Sequence, residues 1–152
     1  MIHQWGEVSV PAQVIAAADQ IKHLNYKTTT PAKFRKNTLT EDLAGDMMAE
    51  VASRIGIEQS SLDYVYFSAA RGAEPHTDIL DPEVFTDRTF VIPVILPHGR
   101  SVITAEQASA EVFTGRIYEF NHERTHSMSV EDTESGCVVI MIAIRKTPAA
   151  SH

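Results

Sequence analysis

Hydrophobic and polar positions divide the chain into two unequal parts with different periods. In the first part the apolar residues recur at three- and four-residue steps. Pro11 suits the first turn of a helix, where its missing N–H costs nothing. Val14, Ala18, Ile21 and Asn25 then follow on one stripe, flanked by Ile15 and Leu24. The polar stretch Lys27 to Asn37, with Thr28-Thr29-Thr30-Pro31, breaks this period and reads as loop or irregular strand. A second helix is predicted to start near Thr38 or Thr40, because Thr38 and Glu41 have capping-box spacing. Leu43, Met47, Val51 and Ile55 form its apolar face, and Gly56 is its stop signal.

From Asp63 the pattern changes to short β-rich runs. These are Tyr64–Phe67, a short strand around His76, Arg88–Leu96, Val102–Thr104, Ala110–Phe113, Arg116–Phe120, His126–Val130 and Cys137–Ile144. About eight closely spaced short strands predict a sandwich or barrel. Pro93 lacks the N–H that a ladder needs, so it predicts an edge position or a bulge within its run. No internal repeat and no linker divides the chain. The expectation is therefore one domain over residues 1–152, with a helical buttress at 1–60, a β core at 61–146 and a tail at 147–152.

Composition narrows the class. The chain has 152 residues, 43% hydrophobic and 22% charged, with seven Gly and seven Pro, which excludes collagen-like, low-complexity and wholly disordered chains. The net charge of −7 repels phosphate backbones, so no nucleic-acid partner is expected. The longest apolar run, Val138 to Ile144, is too short to span a bilayer, so no membrane partner is expected either. The N-terminal residues lack the basic and apolar regions of a signal peptide. With Cys137 the only cysteine, an intramolecular disulfide and a cysteine-based zinc site are impossible, and a reducing, cytoplasmic setting is the default.

Seven histidines stand against that one cysteine. The informative group is His76-Thr77-Asp78. Residues i and i+2 of a strand share a face, so an imidazole and a carboxylate would project together as two corners of a metal site. His126, 48 residues beyond Asp78, is the leading third ligand, since it opens the alternating run Met128, Val130. Two His and one carboxylate on one side of a metal leave the other side open, the arrangement of non-haem Fe(II) oxygenases. His122 has the strand parity of His126 but sits in the polar, hairpin-like Asn121-His122-Glu123-Arg124, so it reads as a loop or supporting residue. His98 reads as a turn residue in Pro97-His98-Gly99-Arg100, and His3, His23 and His152 as surface residues. Taken alone, a His-x-Asp is a common chance pattern.

The order His76-Thr77-Asp78, Asp87-Arg88-Thr89-Phe90-Val91-Ile92-Pro93-Val94, Gly115-Arg116-Ile117-Tyr118-Glu119-Phe120-Asn121 and Thr125-His126-Ser127-Met128 resembles the core of the Fe(II)/2-oxoglutarate-dependent oxygenases. It is most similar to the prolyl-hydroxylase and aspartyl/asparaginyl-hydroxylase branches, over roughly Tyr64 to Arg145. The resemblance implies a mostly β (α+β) fold, a double-stranded β-helix of jelly-roll, cupin-like form with two N-terminal helices packed on one sheet. It implies iron held by His76, Asp78 and His126, 2-oxoglutarate as co-substrate, dioxygen as oxidant and hydroxylation as the outcome. The substrate would be a small molecule or a peptide side chain.

Such enzymes pair the distal carboxylate of 2-oxoglutarate with a basic residue, and a guanidinium suits this bidentate role. Most members carry it about ten residues after the last metal His. Here that stretch is Ser135-Gly136-Cys137, with no basic residue. Arg88 and Arg145 are the substitutes. Their plainer readings are a surface residue paired with Asp87 and a strand-end charge beside Lys146. Tyr66, of equal parity with Tyr64, is a candidate hydroxyl donor to the co-substrate, as against an ordinary half-buried strand aromatic. Cys137 reads as a small apolar strand residue. Two alternatives stay open: a cupin-like metal-dependent enzyme that does not use 2-oxoglutarate, and a non-catalytic β-sandwich binding module.

Overall fold

The computed structural model describes residues 1–21, 32–34 and 41–148, with the side chains of 32–34, 41, 42 and 64 excepted. In chain order the elements are β1 (His3–Glu7), α1 (Ala12–Ile21), β2 (Ala32–Phe34), α2 (Glu41–Ile55), β3 (Leu62–Ala70), β4 (Ala73–His76), β5 (Phe85–Ile95), β6 (Ser101–Ala105), β7 (Ala108–Glu111), β8 (Arg116–Asn121), β9 (His126–Val130) and β10 (Cys137–Arg145). The expected cap of α2 at Thr38 or Thr40 lies outside the described residues, as do Leu24, Asn25, His23 and His152.

Both helices follow their sequence signals. Pro11 sits one residue before α1, and its carbonyl accepts the N–H of Val14 and of Ile15 at 3.0 and 3.1 Å. Val14, Ala18 and Ile21 are buried, whereas Ile15 faces outward. In α2 the buried stripe is wider than a simple four-residue step, with Ala44, Met48 and Ala52 joining Met47, Val51 and Ile55. Gly56 adopts φ +70°, and the N–H of Ile57 reaches back to the Ala52 carbonyl at 3.1 Å. That is a Schellman stop, which requires the left-handed residue that glycine supplies cheaply.

The strands form two antiparallel sheets. The large sheet has the order β1-β8-β5-β10-β3-β2 and the small one β4-β9-β6-β7. From β3 onward the chain crosses between the sheets at every step except the β6–β7 hairpin, and β8-β5-β10-β3 against β4-β9-β6-β7 is the eight-stranded jelly roll, a double-stranded β-helix. β1 and β2 extend the large sheet at its two edges. The sequence pattern misses β1 because only Trp5 in it is half-buried, so no alternation appears. β2 is a three-residue strand inside the predicted irregular stretch. Pro93 lies in an interior strand, and the ladder accommodates it by a bulge, since Val138 faces Ile95 while Val139 faces Pro93.

Each face of the large sheet has its own core. One face carries Phe67, Phe90, Ile92, Ile117, Ile140 and Ile142, all fully buried beneath α1 and α2. The other carries Val91, Tyr118, Phe120 and Val139 and packs on Ile103 and Ala105 of the small sheet. Strand alternation separates the two sets. The crossing from β3 to β4 needs Gly72, whose φ is +102°, and a Cβ there would stand 2.9 Å from the Met128 carbonyl oxygen.

Candidate metal centre

His76 ends β4 and lies directly opposite His126, the first residue of β9. This antiparallel pairing sets the two imidazoles side by side, with ring centroids 4.4 Å apart in an edge-on arrangement. Asp78 lies two residues beyond the end of β4 and turns one carboxylate oxygen to each ring. Its Oδ2 is 3.0 Å from His126 Nε2 and its Oδ1 is 3.7 Å from His76 Nε2. One donor atom from each of the three residues falls within 4.8 Å of the others. His126 is buried, and Phe120 packs on its ring at 4.5 Å. His76 and Asp78 remain partly open to solvent.

The remaining ring nitrogens fix the tautomers. His76 Nδ1 is 2.6 Å from the Glu74 carbonyl oxygen and His126 Nδ1 is 2.8 Å from that of Arg124. A carbonyl oxygen only accepts, so each Nδ1 carries the proton and donates it. That leaves both Nε2 atoms, the ligating nitrogens of such a tautomer, facing a carboxylate, a donor set that could hold a cation. The Nδ1–H···O=C bond is also how proteins orient metal-binding histidines. Ligands on neighbouring corners of an octahedron with bonds of about 2.1 Å stand roughly 3 Å apart, which the His126–Asp78 spacing of 3.0 Å matches, while the His76–Asp78 spacing of 3.7 Å is wider. A 2-His-1-carboxylate metal site fits these residues.

The three residues open onto a cleft between the sheets. Its walls are largely apolar, with Val91, Ile103, Phe120, Met128, Val139 and Met141 among them. Tyr66, Ser68 and Ser127 contribute hydroxyls. Tyr66 thus lines the cleft, whereas the side chain of Tyr64 lies outside the described residues. Ser68 shares its strand and parity with Tyr66, a period-two signal that sequence reading missed. Cys137 is buried in the same wall, and burial pushes its thiol upward, which suits a small apolar residue better than a nucleophile.

The two arginines do not join the cleft. Arg88 alternates with Thr89 and Val91 on β5, and Val91 is the one that lines the cleft. Arg88 therefore lies on the opposite face of the sheet, 5.2 Å above the Phe90 ring. It holds Glu119 through two hydrogen bonds, Nε to Oε2 at 2.7 Å and Nη2 to Oε1 at 3.1 Å. Burial pushes the Glu119 carboxyl up, but the bonds from Arg88 and from Trp5 outweigh it and hold the carboxyl below the usual range. Arg145 ends β10 and donates from Nη1 to Asp63 Oδ2 at 3.2 Å. The partner of Arg88 is thus Glu119, while Asp87 accepts from Asn121 instead.

His122 is the residue whose importance the sequence understates. It lies one residue past β8, yet it is 2% exposed. Its Nδ1 is 2.7 Å from Thr89 Oγ1, and burial lowers its pKa, keeping the ring neutral. His98 is exposed in a bend, as its Pro97–Arg100 context predicts. His3 lies in β1 with its ring 4.4 Å from that of Trp5.

No protein-family model and no curated protein matches the chain. Solved structures do. An α-ketoglutarate-dependent non-haem epimerase, SnoN of nogalamycin biosynthesis, superposes with a TM-score of 0.62 at 11% identity, covering 87% of this chain and 70% of that one. A Pseudomonas putida prolyl-4-hydroxylase superposes with a TM-score of 0.57 at 11% identity, covering 96% of this chain and 92% of that one. The chain has the fold of the 2-oxoglutarate-dependent oxygenases. In that fold the strand order seen here, with His76 and His126 on adjacent strands of the small sheet, builds a cleft between two sheets beside a possible metal site.

Proposed function

We propose that the protein is an Fe(II)- and 2-oxoglutarate-dependent oxygenase that hydroxylates an unactivated C–H bond of a small molecule or of a peptide side chain. The observation that carries this reading is the convergence of two Nε2 lone pairs and a carboxylate at the mouth of an apolar cleft. His76, Asp78 and His126 would hold the metal and leave its cleft side free. Iron and the 2-oxo acid would supply dioxygen activation, one oxygen atom going to the co-substrate as it loses carbon dioxide to become succinate and the other to the substrate C–H bond.

The protein's own part is positioning and exclusion of water. The Glu74 and Arg124 carbonyls hold the imidazoles in the ligating tautomer. Val91, Ile103, Val139 and Met141 keep the inner cleft dry, which protects a reactive centre from side reactions. Toward the distal carboxylate of 2-oxoglutarate, Tyr66 and Ser68 offer hydroxyl donors. Among the described lining residues there is no Lys or Arg. That one observation favours a second reading, a cupin-like metal enzyme whose ligand lacks the second carboxylate.

Anaerobic titration separates the two. Fe(II) followed by 2-oxoglutarate is expected to give a weak visible charge-transfer band, with succinate formed once oxygen is admitted. Iron uptake without that band would support the second reading. No iron uptake would refute both and leave a non-catalytic β-sandwich.

A further inference from the structure

Asp78 is the least supported of the three candidate ligands by secondary structure. The last paired residue of β4 is His76, and residues 77–81 are irregular. Its main chain is tied instead to the turn after β8, where its N–H donates to the carbonyl of the buried His122 at 2.9 Å. His122 is held in turn by β5 at two points. Its N–H donates to the Asp87 carbonyl at 3.2 Å, and its ring Nδ1 is hydrogen-bonded to Thr89 Oγ1 at 2.7 Å.

Thr89 is itself 5% exposed and sits in the middle of the large sheet, opposite Phe120 of β8 and Ala143 of β10. A neutral, fully buried ring in a polar turn would be costly without that partner. The sheet thus supplies the rigidity that the overhanging Asp78 segment lacks. Supporting hydrogen bonds of this kind orient ligands and tune metal affinity.

We propose that Thr89 and His122 are positioning residues that set the place of Asp78, so that the large sheet governs the geometry of a site whose two histidines belong to the small sheet. This rests on the metal-centre reading above. The chain of contacts runs from Thr89 Oγ1 to the His122 ring, through the His122 carbonyl, to the Asp78 main chain.

Cobalt(II) alone is a suitable probe, with affinity read by titration and coordination by the visible spectrum, at a temperature where the metal-free variants are fully folded. Thr89→Val replaces only the hydroxyl and is expected to weaken cobalt binding by about 10- to 100-fold and to alter the spectrum. Thr89→Ser keeps the hydroxyl and is expected to restore both. A parallel pair covers the case in which Thr89→Val does not fold. His122→Asn sets its amide near the place of Nδ1 and should retain affinity, whereas His122→Gln reaches past Thr89 and should lose it. Unchanged affinity and spectrum in the folded Thr89→Val or His122→Gln protein would overturn the proposal. Absence of cobalt binding by the unaltered protein is a different failure, because it would remove the metal centre itself and this inference with it.

Discussion

The two faces of the large sheet are built from the same strands and do opposite work. Along β10, Val138, Ile140, Ile142 and Ile144 lie in the helix-covered core, while Cys137, Val139 and Met141 line the cleft. Along β3, Phe67 and Ala69 lie under the helices, and Tyr66, Ser68 and Ala70 face the cleft. The helix side is filled with branched and aromatic residues at or near zero exposure. On β3 and β10 the cleft side carries mostly small, sulfur-containing or hydroxyl side chains and leaves space between the sheets, while Tyr118 and Phe120 of β8 pack tightly beside it. One face holds the fold together, and the other gives up packing to make a cleft beside the candidate metal site.

This division is open to direct attack, and the largest effect is expected at the candidate metal ligands. His126→Ala should abolish metal-dependent activity and the thermal stabilisation by added metal, because a ligand can stabilise only the state that binds it. The metal-free stability should change little by comparison, since the core of the helix-covered face is untouched. A large loss of metal-free stability in this variant, by thermal melting with chelator, would show that the cleft side also carries the fold.

Next in size is the opposite case. Phe67→Ala removes a fully buried ring beneath the helices and is expected to cost about 3–5 kcal/mol in denaturant unfolding. If the protein still folds, its metal affinity should stay near the original value. A loss of metal affinity larger than the loss of stability would break the separation of the faces.

The smallest effect concerns the partly buried Arg88–Glu119 pair on the helix side. The Glu119 carboxyl is held below the usual range, so the stability it contributes is present above the ordinary glutamate range and is lost as pH falls through its lowered value. Glu119→Gln should therefore destabilise the protein by about 1–3 kcal/mol near neutral pH and flatten the acid limb of its stability profile. The same change should leave 2-oxoglutarate binding unaltered, because Arg88 and Glu119 lie on the side away from the cleft. A shift in 2-oxoglutarate affinity in this variant would return Arg88 to the co-substrate site.

Much of this was legible in the residues. The period change near Asp63, the helix faces and the eight strands from β3 onward follow from local pattern, since buried faces impose their periods on the sequence. His76, Asp78 and His126 could be singled out as candidate ligands because spacing and order narrow the choice among seven histidines, and the structure brings these three together. β1 was hidden because an edge strand with one half-buried residue has no alternation. His122 was hidden because a polar turn is ordinarily exposed, and only the packing of β5 against that turn buries it. The roles considered for Arg88 and Arg145 were open in sequence, where a cation near a motif carries no information about which face it takes.

The sequence by itself determined the two helices, the strands from β3 onward and the candidate donors, because these depend on periodicity, turn chemistry and residue type, while the jelly roll followed from the family resemblance. Only the tertiary structure decided which donors meet. Pairing of β4 with β9 sets His76 against His126, and strand parity sends Arg88 to the far side of the sheet. Asp78 is held beside the small-sheet pair by a turn whose His122 is buried against β5. Contacts between residues 48 positions apart depend on register and on the packing of two sheets, which no local pattern encodes.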